Sequence, residues 1–459
     1  MTGNWTTASI ADIAQKVGSG ATPLGGEAAY KSTGTPLIRS MNVVFFGFKR
    51  DGLAFIDGQQ ASALDGATVR AQDVLLNITG ASIGRVTLAP SDMDGARVNQ
   101  HVCIIRPNSC IDSRYLNAYL SSPAVQSKIW ADNTGTTRQA LTKQQILGFE
   151  IPVAPLTEQK RIADKLDTVL TRVDAVNSRL ARVVLLLKRF RQSVLTAATS
   201  GRLTEDWRGS GLAEWQSKEI QEICHSISDG DHQAPPQVIS GIPFITISAL
   251  HGGHLDLHKA TRYVPNSYFS ALDEKRRPAR GDVLFSVTGS IGIPALVATD
   301  EPFTFQRHIA ILKPDLIKVS SSYLRYLLES NDVKRQAIAV ATGTAQMTIP
   351  LGGLRRIKVN LPPLDEQAEI VRRVETLFAF VDRLEARLQT ARTAANRLTP
   401  ALLAKAFRGE LVAQDPDDEP AAELLKRLAA SQAGSGSGST RSRKKSGTVR
   451  HTATGDLHA

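Results

Sequence analysis

Two stretches of this chain say the same thing, and each opens a long segment with an unbroken heptad pattern. FEIPVAPLTEQKRI at 149–162 returns as IKVNLPPLDEQAEI at 357–370. Pro155/Pro363, Leu156/Leu364, Glu158/Glu366, Gln159/Gln367 and Ile162/Ile370 share one offset of 208 residues. After the first copy, apolar residues fall at Ile162, Leu166, Val169, Val173, Val176 and Leu180, and continue to Val194 in steps of four and three. After the second they run from Ile370 through Val374, Leu377, Val381, Leu384 and Leu388 to Leu402 in the same phase. A sustained repeat of about 3.5 residues demands a helix wound on another helix; the alternative is an amphipathic stripe packed onto its own domain. The flanking positions are charged, as the outer faces of such a pair should be.

The fold is therefore constrained to two copies of one unit. Two copies in one chain favour a two-fold arrangement, which makes the two helices antiparallel. About 35–40 helical residues span roughly 50–60 Å, comparable with one to one and a half turns of B-DNA at roughly 34–36 Å each. Such a device suits two separated half-sites.

Within each half the order of segments is the same. A tryptophan opens it (Trp5, Trp215), and then come short β-branched runs bounded by Gly, Pro and Asp: TPLIRSMN and IPFITISA, QDVLLNITG and GDVLFSVTG, VCIIRP and IAILKP. Their length and punctuation predict strands. A helical stretch and one further strand precede the proline. The expected fold class is α+β: two mixed-sheet domains separated by two long helices forming an antiparallel coiled coil, with a pseudo-two-fold internal repeat. The expected limits are 1–155 and 206–363 for the domains, 156–205 and 364–413 for the helices, and 414–459 for a largely disordered tail, with AAELLKRLAA as a candidate short helix and the basic RSRKK run in the disordered part.

Charge bears on the partner. The chain carries a net charge of +11, and the acidic and basic residues beyond Gln414 nearly cancel, so the surplus sits in the body. A basic body favours a polyanion such as double-stranded DNA. The three cysteines, Cys103, Cys110 and Cys224, have neither metal-ligand nor disulfide spacing, which predicts a reduced, cytoplasmic protein. No apolar run approaches the roughly 18 residues of a membrane span. Catalytic motifs are missing too: there is no phosphate-binding G-x-x-x-x-G-K-[ST], no H-E-x-x-H, and no Asp-Pro-Pro-Tyr or Asn-Pro-Pro-Tyr/Phe. The expectation is a non-catalytic chain without metal or cofactor of its own.

Three duplicated polar segments are the candidates for recognition. The first is the glycine turn after a strand, Thr79, Gly80, Ser82, Gly84 and Arg85, matched by Thr288, Gly289, Ser290 and Gly292. It is either an anion-binding nest or a plain turn, since both need glycine. The second copy is one residue shorter and has Ile293 in place of Arg85. The second segment is Asn99, Gln100 and His101, matched by Gln306, Arg307 and His308. Asn and Gln can pair with adenine and Arg with guanine in the major groove, while either histidine can equally serve a strand edge. The third is a threonine turn with Thr136, Arg138 and Gln139, matched by Thr344 and Gln346, whose hydroxyls and amides suit base-edge or phosphate contact.

These residues together resemble the specificity subunit of a type I restriction–modification system over residues 1 to about 413. The strand–P-L-x-E-Q–helix junction is its most specific element, joined by the glycine turns LLNITGASIGR and LFSVTGSIGI and by VNQHVCIIRP and FQRHIAILKP. The resemblance implies two target-recognition domains, each reading half of a bipartite DNA sequence, and helices acting as ruler and docking surface. It implies partners as well: two methyltransferase subunits that bring S-adenosylmethionine, and, where recruited, restriction subunits that use ATP and magnesium. It also implies that Glu158, Gln159, Glu366 and Gln367, on an exposed first helical turn, contribute to partner docking beside their plain capping role. A scaffold that binds protein partners without reading DNA is the alternative.

Overall fold

The computed structural model describes residues 4–23, 25–133, 140–208, 214–232, 234–343 and 346–435. The chain divides into two compact units, residues 1–177 with 393–459, and residues 178–392.

In the first unit four antiparallel strands lie in the order Ala14–Ser19, Val102–Pro107, Val74–Asn77, Val86–Leu88. Val74, Leu75 and Leu76 on one central strand and Val102 to Ile105 on the other are consecutive buried residues because both faces are covered. A second, mixed sheet sets Thr35–Ile38 antiparallel to Ala54–Ile56 and parallel to Arg97–Val98. Thr6–Ser9 pairs with Glu150–Val153, which brings the start of the unit to the long helix. Asp73 ties the central sheet together: its carboxylate accepts from Arg106 Nε and Nη2, both at 2.7 Å. The helix Ser113–Leu120 starts where the Asp112 carboxylate accepts from the Arg114 and Tyr115 amides.

The second unit has the same plan with a larger sheet. Its six strands run Cys224–Asp229, Ile309–Pro314, Val283–Ser286, Pro294–Leu296, Gly253–Leu255, Leu250–His251, with one parallel pairing, Gly253–Leu255 to Pro294–Leu296. In the first unit the equivalent hairpin, Val43–Val44 with Gly47–Phe48, pairs only with itself. The difference follows from the tips. Gly252 and Gly253 have positive φ, and a Cβ on Gly253 would fall 1.9 Å from Arg325 Nη1. Phe45 and Phe46 stand in the first unit's tip, with Phe46 at φ 56°, a conformation costly for a bulky residue. Lys313 replaces Arg106 and reaches Asp282 at 2.7 Å.

The two long helices are Leu156–Thr199 and Leu364–Phe407, 44 residues each. Both begin just past the Pro that marks the repeat, as the sequence predicts. In the first unit Ile162, Leu166 and Leu170 share a core with Leu403 and Ala406. In the second, Leu180, Val183 and Leu187 pack with Val381, Leu384 and Leu388. Farther along that unit, Arg191 reaches back to Asp382, while Val194 and Leu195 share a core with Ile370 and Val374. Rising numbers on one helix meet falling numbers on the other, so the pairing is antiparallel. Each fully withdrawn seam side chain is worth roughly 1.5–3 kcal/mol.

The heptad stripe is not the buried stripe along its whole length. Val176, Phe190 and Leu398, all on the pattern, are 43%, 40% and 47% exposed, whereas off-pattern Leu170, Leu195 and Leu403 are buried. A straight α-helix drifts by about 20° per heptad from a 3.5-residue repeat. Toward the helix ends the burying surface is a globular core rather than a second helix. The stretch around Leu187 and Val381 is a seam of the two helices by themselves, while toward their ends both helices join a globular core.

Residues 414–435, expected to belong to a largely disordered tail, pack on the first unit. Asp418 accepts from Arg161 Nη2 at 2.6 Å and from the Thr157 hydroxyl. Ala421 and Leu424, in the helix Ala421–Ser435, enter the core that holds Ile162 and Leu403. The basic RSRKK run lies outside the described residues. No described helix is long and apolar enough to cross a membrane.

Candidate nucleic-acid interface

The strand pairing converges on one corner of each unit. In the first unit the Ile78 amide donates to His101 O at 3.0 Å and the Leu141 amide to Ile78 O at 2.8 Å. In the second the Val287 amide donates to His308 O at 2.8 Å and the Ile349 amide to Val287 O at 2.7 Å. The glycine turn thus lies between the polar triad and the segment returning from the threonine turn. The glycine turn and the polar triad meet there in both units, and Gln346 joins them in the second; Thr136, Arg138, Gln139 and Thr344 lie outside the described residues.

In the first unit the triad forms a chain of side-chain contacts. Thr79 Oγ1 meets His101 Nδ1 at 2.5 Å, and His101 Nε2 meets Gln100 Nε2 at 3.1 Å. Gln100 Oε1 accepts from the Thr22 hydroxyl. An imidazole protonated at Nδ1 satisfies both of its contacts, with Thr79 and Gln100 on opposite sides. Asn99 is buried and turned inward, its Oδ1 accepting from the His101 amide at 3.1 Å. Asn99 therefore shapes the triad, while Gln100 is exposed. Thr22, Arg39, Asn99 and His101 line a shared depression with Glu27, which accepts from Arg39 at 3.1 Å.

In the second unit Thr288, Arg307, His308 and Gln346 line a single cavity of about 310 Å³ together with Asp229 and His232. Asp229 pairs with His232 at 3.1 Å and stands 3.8 Å from Arg276. Gln306 and Ser290 do not line this cavity; Gln306 is half-buried in the edge of the sheet and Ser290 is exposed on the turn.

The glycine turns close on themselves. Gly80, Gly84, Gly289 and Gly292 all have positive φ, between 71° and 84°. The amides of Ile83, Gly84 and Arg85 donate to Gly80 O, Asn77 O and Ser82 O, and the Gly292 amide donates to Ser286 O. With those donors spent on the chain itself, the plain-turn reading replaces the nest. Arg85 remains exposed on the first turn, whereas Thr79 is half-buried against His101 and Thr288 is buried at the edge of its cavity.

The junction residues are corrected. Glu158 and Glu366 are 1% exposed, and Gln159 and Gln367 are 0% exposed, so these side chains present no open docking face. Gln159 Oε1 accepts from the Asp112 amide, and its Nε2 donates to Cys110 O and Ala154 O. Gln367 repeats this with the Ser320 amide, Lys318 O and Pro362 O. Each glutamine thereby staples the long helix to the N-cap of an earlier helix of its unit, Ser113–Leu120 in the first and Ser321–Glu329 in the second. Trp5 Nε1 donates to Glu158 at 2.9 Å and Trp215 Nε1 to Glu366 at 3.0 Å, which explains why a tryptophan opens each half.

Thr22, Arg39, Asp229 and His232 escaped the sequence reading. The signal was Gly20 and Gly230, which close the first strand of each unit. A Cβ on Gly20 would lie 1.7 Å from Val98 O, and one on Gly230 would lie 2.4 Å from Phe305 O. Only glycine lets the loop bearing Thr22 or His232 pass so near the triad.

Among the described residues no group of three or more His, Cys, Asp or Glu is placed to hold a metal. Burial pushes the thiols of Cys103 and Cys224 up to about 11 and about 12, which keeps them protonated and unreactive.

A duplicated α+β unit with a polar corner and a paired-helix segment defines the class, and sequence comparison names the family. The profile of the type I restriction modification DNA specificity domain matches residues 2–184 and 213–391. The chain is 30% identical over 443 residues to the EcoBI specificity subunit of Escherichia coli, covering 90% of each protein. It is 31% identical over 440 residues to the EcoKI specificity subunit of the same species (strain K12), covering 90% of this chain and 91% of the relative. The fold is shared with the S subunit of Thermoanaerobacter tengcongensis at a TM-score of 0.57 and 22% identity, over 90% of this chain and 98% of that one. A chain solved in a study of assembly and conformational transition of the type I R-M system gives a TM-score of 0.67 at 22% identity, over 90% and 99%. The chain belongs to the family of type I restriction–modification specificity subunits, whose role is DNA sequence specificity rather than catalysis.

Proposed function

We propose that this chain gives a type I modification complex its DNA target, each unit reading one half of a bipartite sequence in duplex DNA. The observation that carries the reading is the duplicated corner: glycine turn and polar triad come together in both units, with exposed Gln100 and Arg85 in one and exposed Arg307 in the other. Side-chain amides, hydroxyls and guanidinium groups on a sheet edge are the groups that read base edges in the major groove. Phosphate contacts from the basic body then supply register and most of the affinity. A scaffold serving protein partners alone would have no use for such a corner, twice.

On this reading the long helices fix the separation of the half-sites and carry two methyltransferase subunits. Those subunits supply S-adenosylmethionine and methylate adenine in the bound target. A restriction subunit using ATP and magnesium is the further partner. The docking surface lies on the helices outside the buried junction glutamates and glutamines.

The test is to insert one heptad into each long helix, between Asn177 and Ser178 and between Arg392 and Thr393. Seven residues add about 10 Å at 1.5 Å each, or about three base pairs at 3.4 Å. Methylome sequencing should find both half-sites unchanged and the spacer lengthened by about that amount. A changed half-site with a constant spacer would refute the ruler.

A further inference from the structure

The two corners differ most at the residue before the histidine. It is Gln100 in the first unit and Arg307 in the second. Main-chain hydrogen bonds from Ile78 to His101 and from Val287 to His308 hold these two residues at equivalent places beside the glycine turn. Their side chains are held differently. The Gln100 amide is fixed from both sides, by the Thr22 hydroxyl on its oxygen and by His101 against its nitrogen. One oxygen lone pair and one N–H remain free, an adjacent acceptor and donor on a set plane.

The second unit has no such clamp. Two residues past its glycine it carries His232 where the first unit carries Thr22, and that histidine turns to Asp229. Asp229 also faces Arg276, and Arg307, exposed on the same cavity, has no hydrogen bond or ion pair among the described residues. A guanidinium offers donors only and cannot accept a hydrogen bond from a base edge. Its fork matches O6 and N7 of guanine, whereas a side-chain amide matches N6 and N7 of adenine.

We infer that the two units read different bases at this equivalent position, guanine through Arg307 and adenine through the Gln100 amide. The inference rests on the reading that these corners bind DNA, and adds which purine each one selects. Asp229 has a part in it: engaged by His232 and Arg276, it leaves the Arg307 fork free for DNA.

The test is selection from a randomised duplex library by the full chain assembled with its methyltransferase subunits. Wild type is compared with Arg307→Gln, Arg307→Lys and Gln100→Arg. Wild type should select two separated blocks. Arg307→Gln should lose guanine at one position of one block by about 5- to 150-fold, the range for a bidentate base contact, and leave the other block intact. Arg307→Lys keeps the charge without the fork and should relax the same position. Gln100→Arg should shift one position of the opposite block from adenine toward guanine. Two outcomes would overturn the inference. One is Arg307→Gln weakening all sequences equally with a shallower salt dependence, the mark of a phosphate contact. The other is an unchanged selection. If wild type selects no bipartite sequence at all, the proposed function falls first, and this inference with it.

Discussion

The two junctions carry one motif and solve its central problem in opposite ways. In the second unit the buried Glu366 carboxylate receives Thr204 at 2.7 Å, Arg208 at 2.8 Å and Trp215 at 3.0 Å. Burial alone would raise its pKa, but hydrogen bonds from Arg208, Thr204 and Trp215 outweigh that and hold it below the usual glutamate range. In the first unit Glu158 receives Trp5 on one oxygen, while its Oε1 is buried with no hydrogen-bond partner among the described residues. Burial raises its pKa, and Trp5 and Arg161 only partly oppose this. The cause is chain order. Thr204 and Arg208 follow the first long helix, and the segment that follows the second instead brings Asp418 to Arg161. The same P-L-x-E-Q motif has become one satisfied charge and one strained charge.

The largest effect expected from this contrast is on the segment after the second helix. Ending the chain at residue 413 removes Ala421 and Leu424 from the first unit's core. It should cost that unit about 3 kcal/mol, the scale of emptying one large core site. Segment-resolved hydrogen exchange would show faster opening around Tyr115 and Ile162, with the second unit unmoved. Next, Glu366→Gln deprives Arg208 of its partner and should destabilise the second unit by about 2–3 kcal/mol. Glu158→Gln keeps an acceptor for Trp5 and relieves a buried charge, so it should change the first unit by less than about 1 kcal/mol, in the stabilising direction. Equal losses in both units would break the comparison.

Acidification should separate the units further. A lowered folded pKa contributes stability above the unfolded value, so the Glu366 contribution is lost as pH falls through and below the ordinary glutamate range. A raised one acts in the other sense. The Glu158 penalty grows as pH rises through that range toward the raised folded value, and falls again on mild acidification. Exchange protection followed from neutral pH downward should therefore move in favour of the first unit, and Glu366→Gln should remove most of that movement. The smallest effect is expected at Arg85, exposed in the first unit and replaced by Ile293 in the second. Arg85→Ala should lower the slope of log affinity against log salt by about one and leave both half-sites as they were.

What the sequence carried well is what depends on local pattern. The heptads and the Pro-Leu start placed both long helices, and the runs around Leu75 and Leu284 placed the central strands. The junction side chains were misread because a carboxylate in a first helical turn normally faces solvent. Nothing local records that Trp5 and Trp215, some 150 residues away, fold over these two. Thr22 and His232 were missed for a related reason: each owes its position to a backbone approach that only Gly20 and Gly230 permit. The AAELLKRLAA segment is legible as a short helix, but nothing local records that Ala421 and Leu424 enter the first unit's core, which goes with Asp418 finding Arg161.

The most direct measurement is the sequence logo of duplex DNA that the full chain, with its methyltransferase subunits, selects from a random pool. Two short blocks of specified bases should emerge, parted by a gap of fixed length and indifferent sequence. A single uninterrupted block, or no preference at any position, would contradict the account.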